Sequence, residues 1–442
     1  MNSPTDESMT VLGLGRVGLP VALCLAETGS TVYGIDKDKG RVELLRAGKI
    51  PFYEPGLGEI LACTLGKTFL PTNELGQIRK TSCSIVAVNA PMSRGKMHLS
   101  DLNGALDAIA KNMERGHLII IKTTLAPGMT EGYVRVFLEK ASNLKGGRDF
   151  SLAYVPERLI EGQAIRIIRE IPTVIGAIDD ASYRRTSAIF RKLGNGSNKR
   201  VTTKAAEVAK LLENSWRDVA FALANEAGLI CRHLGVDALE AIEAANYENP
   251  WSSIPIPSVG IGGACLPKDP IILATSSKRM GYIPRLLLAA RRLNNKITEH
   301  VFAAIRQTYG KTGRSLRQSR VLLLGLAYKK GTDDTRNTPA EKLIQRLKAA
   351  GALVMAYDPY VSDDDFRKLA VRKIELTTGL RSANCIVLVT NHDQFKKLDV
   401  SPYIRDDCIV ADFWGMWNPK MMKKGIYCGW SITSRKCKYH GY

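Results

Sequence analysis

The sequence predicts an α/β protein in which two Rossmann-like domains, each built on a doubly wound parallel sheet, are joined by a central helical region. Two strand–turn–helix–strand patterns, each ending in an aspartate, predict the two sheets. A middle segment with apolar residues three and four apart predicts the helices. We therefore expect a first domain at 1–197, a helical segment at 198–310 and a second sheet domain at 311–442, consistent with about 150 residues per domain.

The first pattern lies close to the start of the sequence. A strand from Thr10 leads into a glycine-rich turn, an apolar helix follows at Leu19–Thr28, and a second strand at Ser30–Ile35 ends at Asp36. Further apolar runs predict three more strands, at Ser84–Val88, Leu118–Ile121 and Phe150–Val155. This alternation of strands and helices indicates a parallel sheet.

The glycine-rich turn has the spacing of a dinucleotide-binding site. Gly13 permits the tight turn, Gly15 lets the backbone approach a pyrophosphate, and Gly18 lets the helix pack against the strand. The helix N-terminus favours the phosphates. Asp36 is expected to accept hydrogen bonds from the ribose hydroxyls and to repel a 2′-phosphate, which favours NAD over NADP.

The middle of the chain is predicted to be mainly helical, and the third segment repeats the logic of the first. The expected middle helices are Ala205–Leu234, Asp237–Ala245 and Arg285–Arg306, with a proline-rich interruption at Asn249–Pro270. The third segment is expected to contain the strands Arg320–Leu324, Ala352–Tyr357, Cys385–Thr390 and Asp407–Asp412, and the helix Ala340–Ala350. More residues separate Gly325 from Asp358 than separate Gly13 from Asp36 in the first pattern, which indicates an inserted loop at 327–337.

The composition is that of a globular protein. Hydrophobic residues make up 45% and charged residues 24%, which excludes a disordered chain, a collagen and a coiled coil. The sequence has no apolar run of about 18 residues and no signal-peptide pattern, so we expect a cytoplasmic protein without a membrane span. Nine cysteines without a CxxC pair indicate reduced thiols, and no metal site is expected.

The formal charge of +20 raises the question of a polyanionic partner. The excess is concentrated at 281–320 and 420–442, but neither stretch contains a nucleic-acid motif or regularly spaced aromatic residues. We therefore favour an anionic small substrate, with a nucleic-acid role as the alternative.

Three motifs carry candidate chemistry. In Gly262-Gly-Ala-Cys265-Leu-Pro-Lys268-Asp269, a thiol follows two glycines and Lys268 is placed to lower its pKa, which suits a nucleophile; the alternative is a buried structural cysteine. Lys210 and Asn214 are four residues apart, so they share a helix face, which is also typical of a solvated surface.

The third motif is a pair of strand ends. Thr124 and Glu157-Arg158 follow predicted strands, and ligands bind at the carboxyl ends of strands in doubly wound sheets.

Together these motifs resemble the UDP-sugar 6-dehydrogenase family, which converts nucleotide sugars to uronic acids. The resemblance extends from Val11 to about residue 360 and rests on VLGLGRVGLP, YEPGL, IKTTLAPG, PERLIEG, EVAKLLENSWRDVAFALANE, GGACLPKDP and GLAYKKGTDDTRNTP. It implies two NAD-dependent oxidations by way of a cysteine thiohemiacetal and thioester, a homodimer formed through the central helices, and a place in polysaccharide biosynthesis.

The resemblance also implies a role for each matching residue. Cys265 would be the nucleophile, Lys210 and Asn214 would hold oxyanions, Asp269 would orient water, and Thr124 and Glu157 would complete the proton network. The implied NAD contacts are Gly13, Gly15, Val17, Gly18, Asp36, Arg41 and Thr124. The implied substrate contacts are Glu157, Arg158, Lys210, Asn214, Gly262, Lys329 and Arg336.

The sugar is less well determined than the reaction. Arg158 after the glutamate is typical of relatives that oxidise UDP-N-acetylhexosamines, and Trp251-Ser-Ser lacks an arginine of the glucose type. Against this, Glu161-Gly162 and the cysteine motif are closer to the glucose type. We expect a UDP-N-acetylhexosamine, with UDP-N-acetylmannosamine favoured among them, and UDP-glucose as the alternative. A two-electron 3-hydroxyacid dehydrogenase, which explains neither Cys265 nor the third segment, is a more distant alternative.

Overall fold

The computed structural model describes residues 8–93, 95–194 and 196–430. The described chain forms two compact units. One runs up to Glu213 and includes Thr275–Tyr282; the other comprises Asn214–Ala274 and continues from Ile283. This division is coarser than the three segments predicted from the sequence. Asn195, close to the predicted boundary between residues 197 and 198, lies outside the described residues, as does most of the basic tail, at 431–442.

An eight-stranded sheet is the centre of the first unit. Its strands are β1 (Met9–Leu12), β2 (Val32–Ile35), β3 (Phe69–Thr72), β4 (Cys83–Val86), β7 (Leu118–Ile121), β8 (Ser151–Tyr154), β9 (Thr173–Ala177) and β10 (Asn198–Val201). Two short strands, β5 (Met92–Ser93) and β6 (Lys96–Met97), pair separately. The order in the large sheet is β10-β9-β8-β7-β4-β1-β2-β3, so the chain winds outward in both directions from β1.

Helices cover both faces of this sheet. They are α1 (Gly18–Glu27), α2 (Lys39–Arg46), α3 (Leu57–Thr64), α4 (Ser100–Asn112), α5 (Val136–Ser142), α6 (Ala164–Glu170) and α7 (Asp180–Arg191). Because successive strand side chains point to opposite faces, Val11 packs in the cluster that contains α1, whereas Leu12 packs in the cluster that contains α4. The doubly wound arrangement of the first domain follows from these two apolar faces.

The second unit contains the central helices and a six-stranded sheet. The central helices are α8 (Thr203–Leu234), α9 (Ala238–Asn246), α10 (Asp269–Arg279) and α11 (Arg285–Lys311); α8 begins and α10 ends in the first unit. The strands are β11 (Arg320–Leu324), β12 (Leu353–Tyr357), β13 (Arg372–Lys373), β14 (Cys385–Leu388), β15 (Ile409–Asp412) and β16 (Ile426–Cys428). All are parallel, in the order β13-β12-β11-β14-β15-β16. The remaining helices are α12 (Pro339–Ala349), α13 (Asp363–Lys368), α14 (Leu376–Ser382) and α15 (Asp393–Lys396).

The predicted fold class is confirmed, with two corrections. The first sheet is not entirely parallel, because β9 runs antiparallel to β8; antiparallel strands toward an edge are common in doubly wound sheets. The predicted interruption at Asn249–Pro270 ends earlier than expected, since α10 begins at Asp269 and Pro270 lies in its first turn, where a proline costs no hydrogen bond.

Among the described residues, no helix combines the length and the low polarity that a membrane crossing requires.

Candidate functional site

The glycine turn after β1 leaves room for a dinucleotide. Gly13 has φ +92°, and a Cβ there would lie 2.7 Å from the carbonyl oxygen of Ala87. A Cβ on Gly18 would overlap the carbonyl oxygen of Gly13, so the close approach of α1 to the turn requires glycine at this position. A Cβ on Gly15 would meet nothing within 4 Å. The turn is therefore sterically closed on the protein side and open at Gly15, as a pyrophosphate requires.

Asp36 lies at the carboxyl end of β2 and is 7% exposed. Its Oδ2 atom accepts hydrogen bonds from the backbone N–H of Leu14 at 2.7 Å and from Arg41 Nη1 at 2.8 Å. Its Oδ1 atom accepts one from the backbone N–H of Asp38 at 2.9 Å. The carboxylate offers about four acceptor positions, so capacity remains for a ligand hydroxyl. Arg41, about one-third exposed at its side chain, lies beside it.

Two strand ends of the first unit bring a buried ion pair together. Lys122 Nζ lies 3.2 Å from Glu157 Oε2, and the two side chains are only 6% and 11% exposed. Glu157 Oε1 also accepts a hydrogen bond from the backbone N–H of Leu159 at 2.6 Å. Arg158, the next residue, donates instead to Glu213 Oε2 at 3.0 Å. The sequence motif IKTT contained Lys122, but only the fold reveals that it pairs with Glu157.

The start of α8 is tied to the loop that follows Thr124. Glu207 is fully buried and accepts hydrogen bonds from the backbone N–H groups of Gly128 and Thr130 and from the Thr130 hydroxyl. Burial raises the pKa of Glu207 above its usual value, although these hydrogen bonds oppose the shift. Lys210, one helical turn further along, is also buried. Within the first unit, the hydrogen bonds of Glu207 therefore hold the loop that follows Thr124 against the part of α8 that carries Lys210.

The second unit brings Cys265, Asp269 and Asn214 together. The backbone carbonyl of Cys265 accepts hydrogen bonds from the N–H groups of Lys268 at 3.0 Å and Asp269 at 2.8 Å, at the start of α10. Asn214 Nδ2 donates to Asp269 Oδ2 at 2.6 Å. Asp269 is fully buried, and its Oδ1 atom lies 3.7 Å from Lys268 Nζ. No local sequence pattern predicts the Asn214–Asp269 hydrogen bond.

The Cys265 side chain differs from most thiols of the described chain because it is exposed. Burial raises the pKa of Cys24 and of Cys408 to about 12, and it also raises the pKa of Cys385 well above its usual value. Those thiols stay protonated at neutral pH, whereas Cys265 is accessible to a reactant. The alternative of a buried structural cysteine is therefore wrong for Cys265.

A buried ion pair supports the segment that carries Cys265. Arg291 Nη1 on α11 lies 2.7 Å from Asp218 Oδ1 on α8 and donates to the carbonyl oxygen of Leu266 at 3.1 Å. Both side chains are almost fully buried. Burial raises the pKa of Asp218 and lowers that of Arg291, and the attraction between the two charges opposes both shifts. The prediction from sequence missed this pair.

The inserted loop at 327–337 lies against the cysteine segment. The backbone N–H of Gly263 donates to the Arg336 carbonyl oxygen at 2.9 Å. The Arg336 guanidinium is half-exposed and donates to the buried Asp334 carboxylate at 2.6–2.9 Å. Lys329 is half-buried, whereas Lys330 is exposed and pairs with Asp393 at 2.9 Å. The second unit thus joins the candidate nucleophile to the candidate substrate loop.

No group of metal-ligating side chains is present in the ranges that the structure describes.

Three family models match the chain in succession. Residues 7–194 match the NAD binding domain of the UDP-glucose/GDP-mannose dehydrogenase family, residues 204–296 its central domain, and residues 322–419 its UDP binding domain.

Individual relatives agree with these matches. The chain is 33% identical, over 88% of its length and 91% of the relative, to a UDP-N-acetyl-D-mannosamine dehydrogenase of Pyrococcus horikoshii. It is 31% identical, over 88% of its length and 93% of the relative, to the UDP-glucose 6-dehydrogenase AglM of Haloferax volcanii. The solved structure of a UDP-N-acetylmannosamine dehydrogenase from Pyrococcus horikoshii superposes with a TM-score of 0.88 at 31% identity, covering 96% of this chain and 98% of that one.

The chain belongs to the UDP-glucose/GDP-mannose dehydrogenase family. It is an oxidoreductase, an NAD-dependent UDP-sugar dehydrogenase, and the resemblance stated from its motifs is confirmed. The open position at Gly15 and the acceptor capacity of Asp36 agree with NAD as the cofactor.

Proposed function

We propose that the protein oxidises the C6 hydroxyl of a UDP-sugar to a carboxylate in two steps and releases a UDP-uronic acid. The observation that most supports this is the contact between the 327–337 loop and the segment that carries the exposed Cys265, because it joins a nucleophile to a substrate-binding element. Bound NAD supplies the acceptor for one hydride in each oxidation.

The covalent step belongs to Cys265. The first oxidation turns the C6 alcohol into an aldehyde, and the alcohol proton passes to a base. The Cys265 thiolate then adds to the aldehyde carbon, and the oxyanion takes up a proton to give a thiohemiacetal. Loss of the second hydride and of that proton gives a thioester. Water attacks the thioester, the C–S bond breaks, and the carboxylate leaves while the thiolate is restored.

Neighbouring side chains stabilise the oxyanions and orient the water. Asn214 has two amide hydrogens, of which one is bonded to Asp269, so the other is available to an oxyanion. The buried ammonium of Lys210 adds a positive charge for the same oxyanions. Asp269 orients water through its second oxygen.

Glu157 and Thr124 complete the proton path at the strand ends of the first unit. Lys122 keeps the Glu157 carboxylate in place through their ion pair.

Binding is divided between the two ends of the sequence. The turn residues Gly13, Gly15, Val17 and Gly18, with Asp36 and Arg41, bind NAD. Lys329 and Arg336 bind the UDP portion, since a guanidinium can hold phosphate or ribose oxygens in a bidentate manner. Gly262 lets the cysteine segment pack closely against the 327–337 loop, because a Cβ at this position would lie 2.5 Å from the carbonyl oxygen of Asn337. These assignments follow the order of the three matched domains.

The favoured substrate is UDP-N-acetylmannosamine. Arg158 after the strand-end glutamate supports an N-acetylhexosamine, because its guanidinium can donate to an acetamido carbonyl if it exchanges its partner Glu213. The Pyrococcus horikoshii relative, which is named for this substrate, supports the same choice. UDP-glucose is the alternative, as the Haloferax volcanii relative is named for it.

One experiment tests both the reaction and the sugar. The purified protein is mixed with UDP-glucose, UDP-GlcNAc, UDP-ManNAc or UDP-GalNAc in excess NAD, and NADH formed per sugar consumed is measured. We expect two NADH per sugar and the highest kcat/KM with UDP-ManNAc. One NADH per sugar would contradict the two-step reaction. A kcat/KM for UDP-glucose about tenfold above every N-acetylated sugar, a difference of about 1.4 kcal/mol in transition-state binding, would contradict only the sugar.

We also infer a homodimer that forms through α8. Trp216, Leu223 and Ile230 are seven residues apart along this helix and more than half exposed, and Leu234 continues the same face. A long apolar stripe of this kind is typical of a helix that packs against another subunit.

A further inference from the structure

The glycines before Cys265 pack directly against the 327–337 loop. A Cβ on Gly262 would lie 2.5 Å from the carbonyl oxygen of Asn337, and one on Gly263 would lie 2.7 Å from the Tyr328 ring. Gly263 also has φ +85°, which side-chain-bearing residues rarely adopt. The cysteine segment therefore follows the surface of the loop at backbone distance.

Two hydrogen bonds fix this contact on both sides of Gly263. Its N–H donates to the Arg336 carbonyl oxygen at 2.9 Å, and its own carbonyl oxygen accepts from Asn337 Nδ2 at 3.0 Å. Cys265 is only two residues further along the chain. A shift of either peptide group of Gly263 must therefore move the thiol.

Asn337 meets two requirements at once. Its φ of +52° lies in the left-handed region, which asparagine tolerates better than most residues. Its side-chain amide supplies the donor to Gly263. Glycine would meet only the first requirement, and aspartate would keep the shape of the side chain without the N–H donor.

The middle of the loop is also held by hydrogen bonds. The backbone N–H of Gly331 donates to His392 Nδ1 at 3.2 Å. The Arg336 backbone N–H and guanidinium both donate to Asp334 within the loop. With anchors at Gly331 and at Gly263, movement at the substrate-binding side of the loop is passed to the cysteine segment.

We propose that Asn337 is a positioning residue that couples occupancy of the 327–337 loop by UDP to the placement of the Cys265 thiol. The proposal rests on the proposed function, which assigns the loop to UDP and Cys265 to the covalent step. When UDP holds the loop in one arrangement, the Asn337 amide holds Gly263 and thereby Cys265. The first oxidation does not need the thiol, so loss of the amide affects the covalent step.

The test compares Asn337→Gly and Asn337→Asp with the wild-type protein. Asn143→Gly is the matched control, because Asn143 also has a left-handed φ, of +61°, but lies at the end of α5 in the first unit. The rate of iodoacetamide alkylation of Cys265 is measured by peptide mass spectrometry with and without UDP, with the exposed Cys63 as the internal reference. UDP lacks the sugar and so leaves the thiol uncovered.

In the wild-type protein and in Asn143→Gly, UDP is expected to slow alkylation of Cys265 by about threefold or more, because a restrained segment opens less often. In both Asn337 variants, UDP should no longer change the rate although its dissociation constant stays within about twofold. Turnover should fall about tenfold, the effect of one lost hydrogen bond, and trapping with hydroxylamine should capture more aldehyde.

Two results would overturn the coupling. One is equal UDP protection of Cys265 in the wild-type protein and in Asn337→Gly, with two NADH per sugar in both. The other is a parallel loss of UDP affinity and turnover, which would mean that Asn337 serves binding only. If the wild-type protein neither binds UDP nor forms NADH with any UDP-sugar, the proposed function is overturned as well. This result differs from the two above, in which the wild-type protein is still active.

Discussion

Asp36 and Asp358 make the same hydrogen bond in two different sheets. Asp36 Oδ2 accepts from the backbone N–H of Leu14 at 2.7 Å, and Asp358 Oδ2 accepts from that of Leu326 at 2.6 Å. Each donor follows the first glycine of its turn. The two patterns that the sequence repeats are therefore repeated in the hydrogen bonds of the structure.

The remaining contacts of the two aspartates differ. Asp358 also accepts from the N–H groups of Ala327, Tyr360 and Val361 and lies 3.2 Å from His392 Nε2. Burial raises the pKa of Asp358, but His392 and the amides outweigh burial and hold it below its usual value. The protein itself satisfies this carboxylate, so only Asp36 is placed to meet a ribose.

Replacing Asp36 should change the choice of cofactor. Asp36→Ala is expected to weaken NAD binding and to narrow the preference for NAD over NADP by about tenfold or more, since hydrogen bonds to charged groups contribute about 1.5–3 kcal/mol. Arg41 would then be free to face a 2′-phosphate. Kinetic constants with both cofactors measure the effect, and Asp107→Ala, on the exposed side of α4, is the control. Equal use of NAD and NADP by the wild-type protein would contradict this role.

Cys265→Ser should stop turnover without preventing binding. A hydroxyl is a far weaker nucleophile than a thiolate, so NADH formation is expected to fall below about 1% of the wild-type rate. Calorimetric titration should give unchanged dissociation constants for NAD and UDP. Cys63→Ser, at another exposed thiol, should keep full activity. Two NADH per sugar at a near wild-type rate would eliminate the covalent mechanism.

Arg336→Ala should separate the two binding functions. We expect the KM for the UDP-sugar to rise about tenfold or more, as for a lost charge-assisted contact, while the KM for NAD changes little. Lys330→Ala is the control, because Lys330 lies in the same loop but is exposed and pairs with Asp393. Since the variant leaves Asp334 without the guanidinium, the melting temperature is measured alongside. An equal rise in both KM values would mean that the loop does not hold the UDP-sugar.

Leu223→Glu should dissociate the proposed dimer. Leu223 lies in the exposed apolar stripe of α8 and is 55% exposed in the single chain. A charge buried there without a partner would cost several kcal/mol. Light scattering coupled to gel filtration gives the mass, and Glu226→Gln on the same helix is the control. A monomeric wild-type protein would rule out this interface.

His117 predicts a loss of stability in mild acid. Burial, and next the charge of Arg185, lower its pKa from 6.5 to about 4, although a hydrogen bond between the ring and the Thr81 backbone, in which Thr81 accepts, opposes the shift. Between these two pH values His117 is protonated in the unfolded chain but neutral in the folded chain. The free energy of unfolding therefore falls by about 3 kcal/mol as the pH drops from about 6.5 to about 4. In His117→Gln, the free energy of unfolding measured by denaturation at pH 7 and at pH 4.5 should not show this loss. The exposed His300→Gln should retain it, and equal losses in His117→Gln and the wild type would refute the assignment.

The fold was largely predictable because its strands and helices are periodic and its turns are marked by glycine. The strand Arg320–Leu324 has the predicted bounds, and α8 begins only two residues before the prediction. The strand Phe69–Thr72 was missed because it contains Pro71, which lacks an N–H donor. Its place at the sheet edge explains why proline is tolerated there.

Within the candidate site, sequence motifs indicated which residues to examine but not their partners. Asn214 and Asp269 are 55 residues apart, and their hydrogen bond depends on how α8 packs against α10. The Lys122–Glu157 pair likewise arises because β7 and β8 are neighbours in the sheet. No local spacing encodes such contacts, since they come from packing.

The three glycines of the first turn would respond differently to evolutionary drift. At Gly13 and Gly18 any side chain collides with the backbone, so selection for folding alone would keep them. At Gly15 a methyl group meets only empty space, so folding by itself would let this position change. Glycine at residue 15 is therefore maintained by selection for ligand binding rather than for folding. Its replacement in a descendant would indicate a protein that still folds in the same way but no longer binds the cofactor.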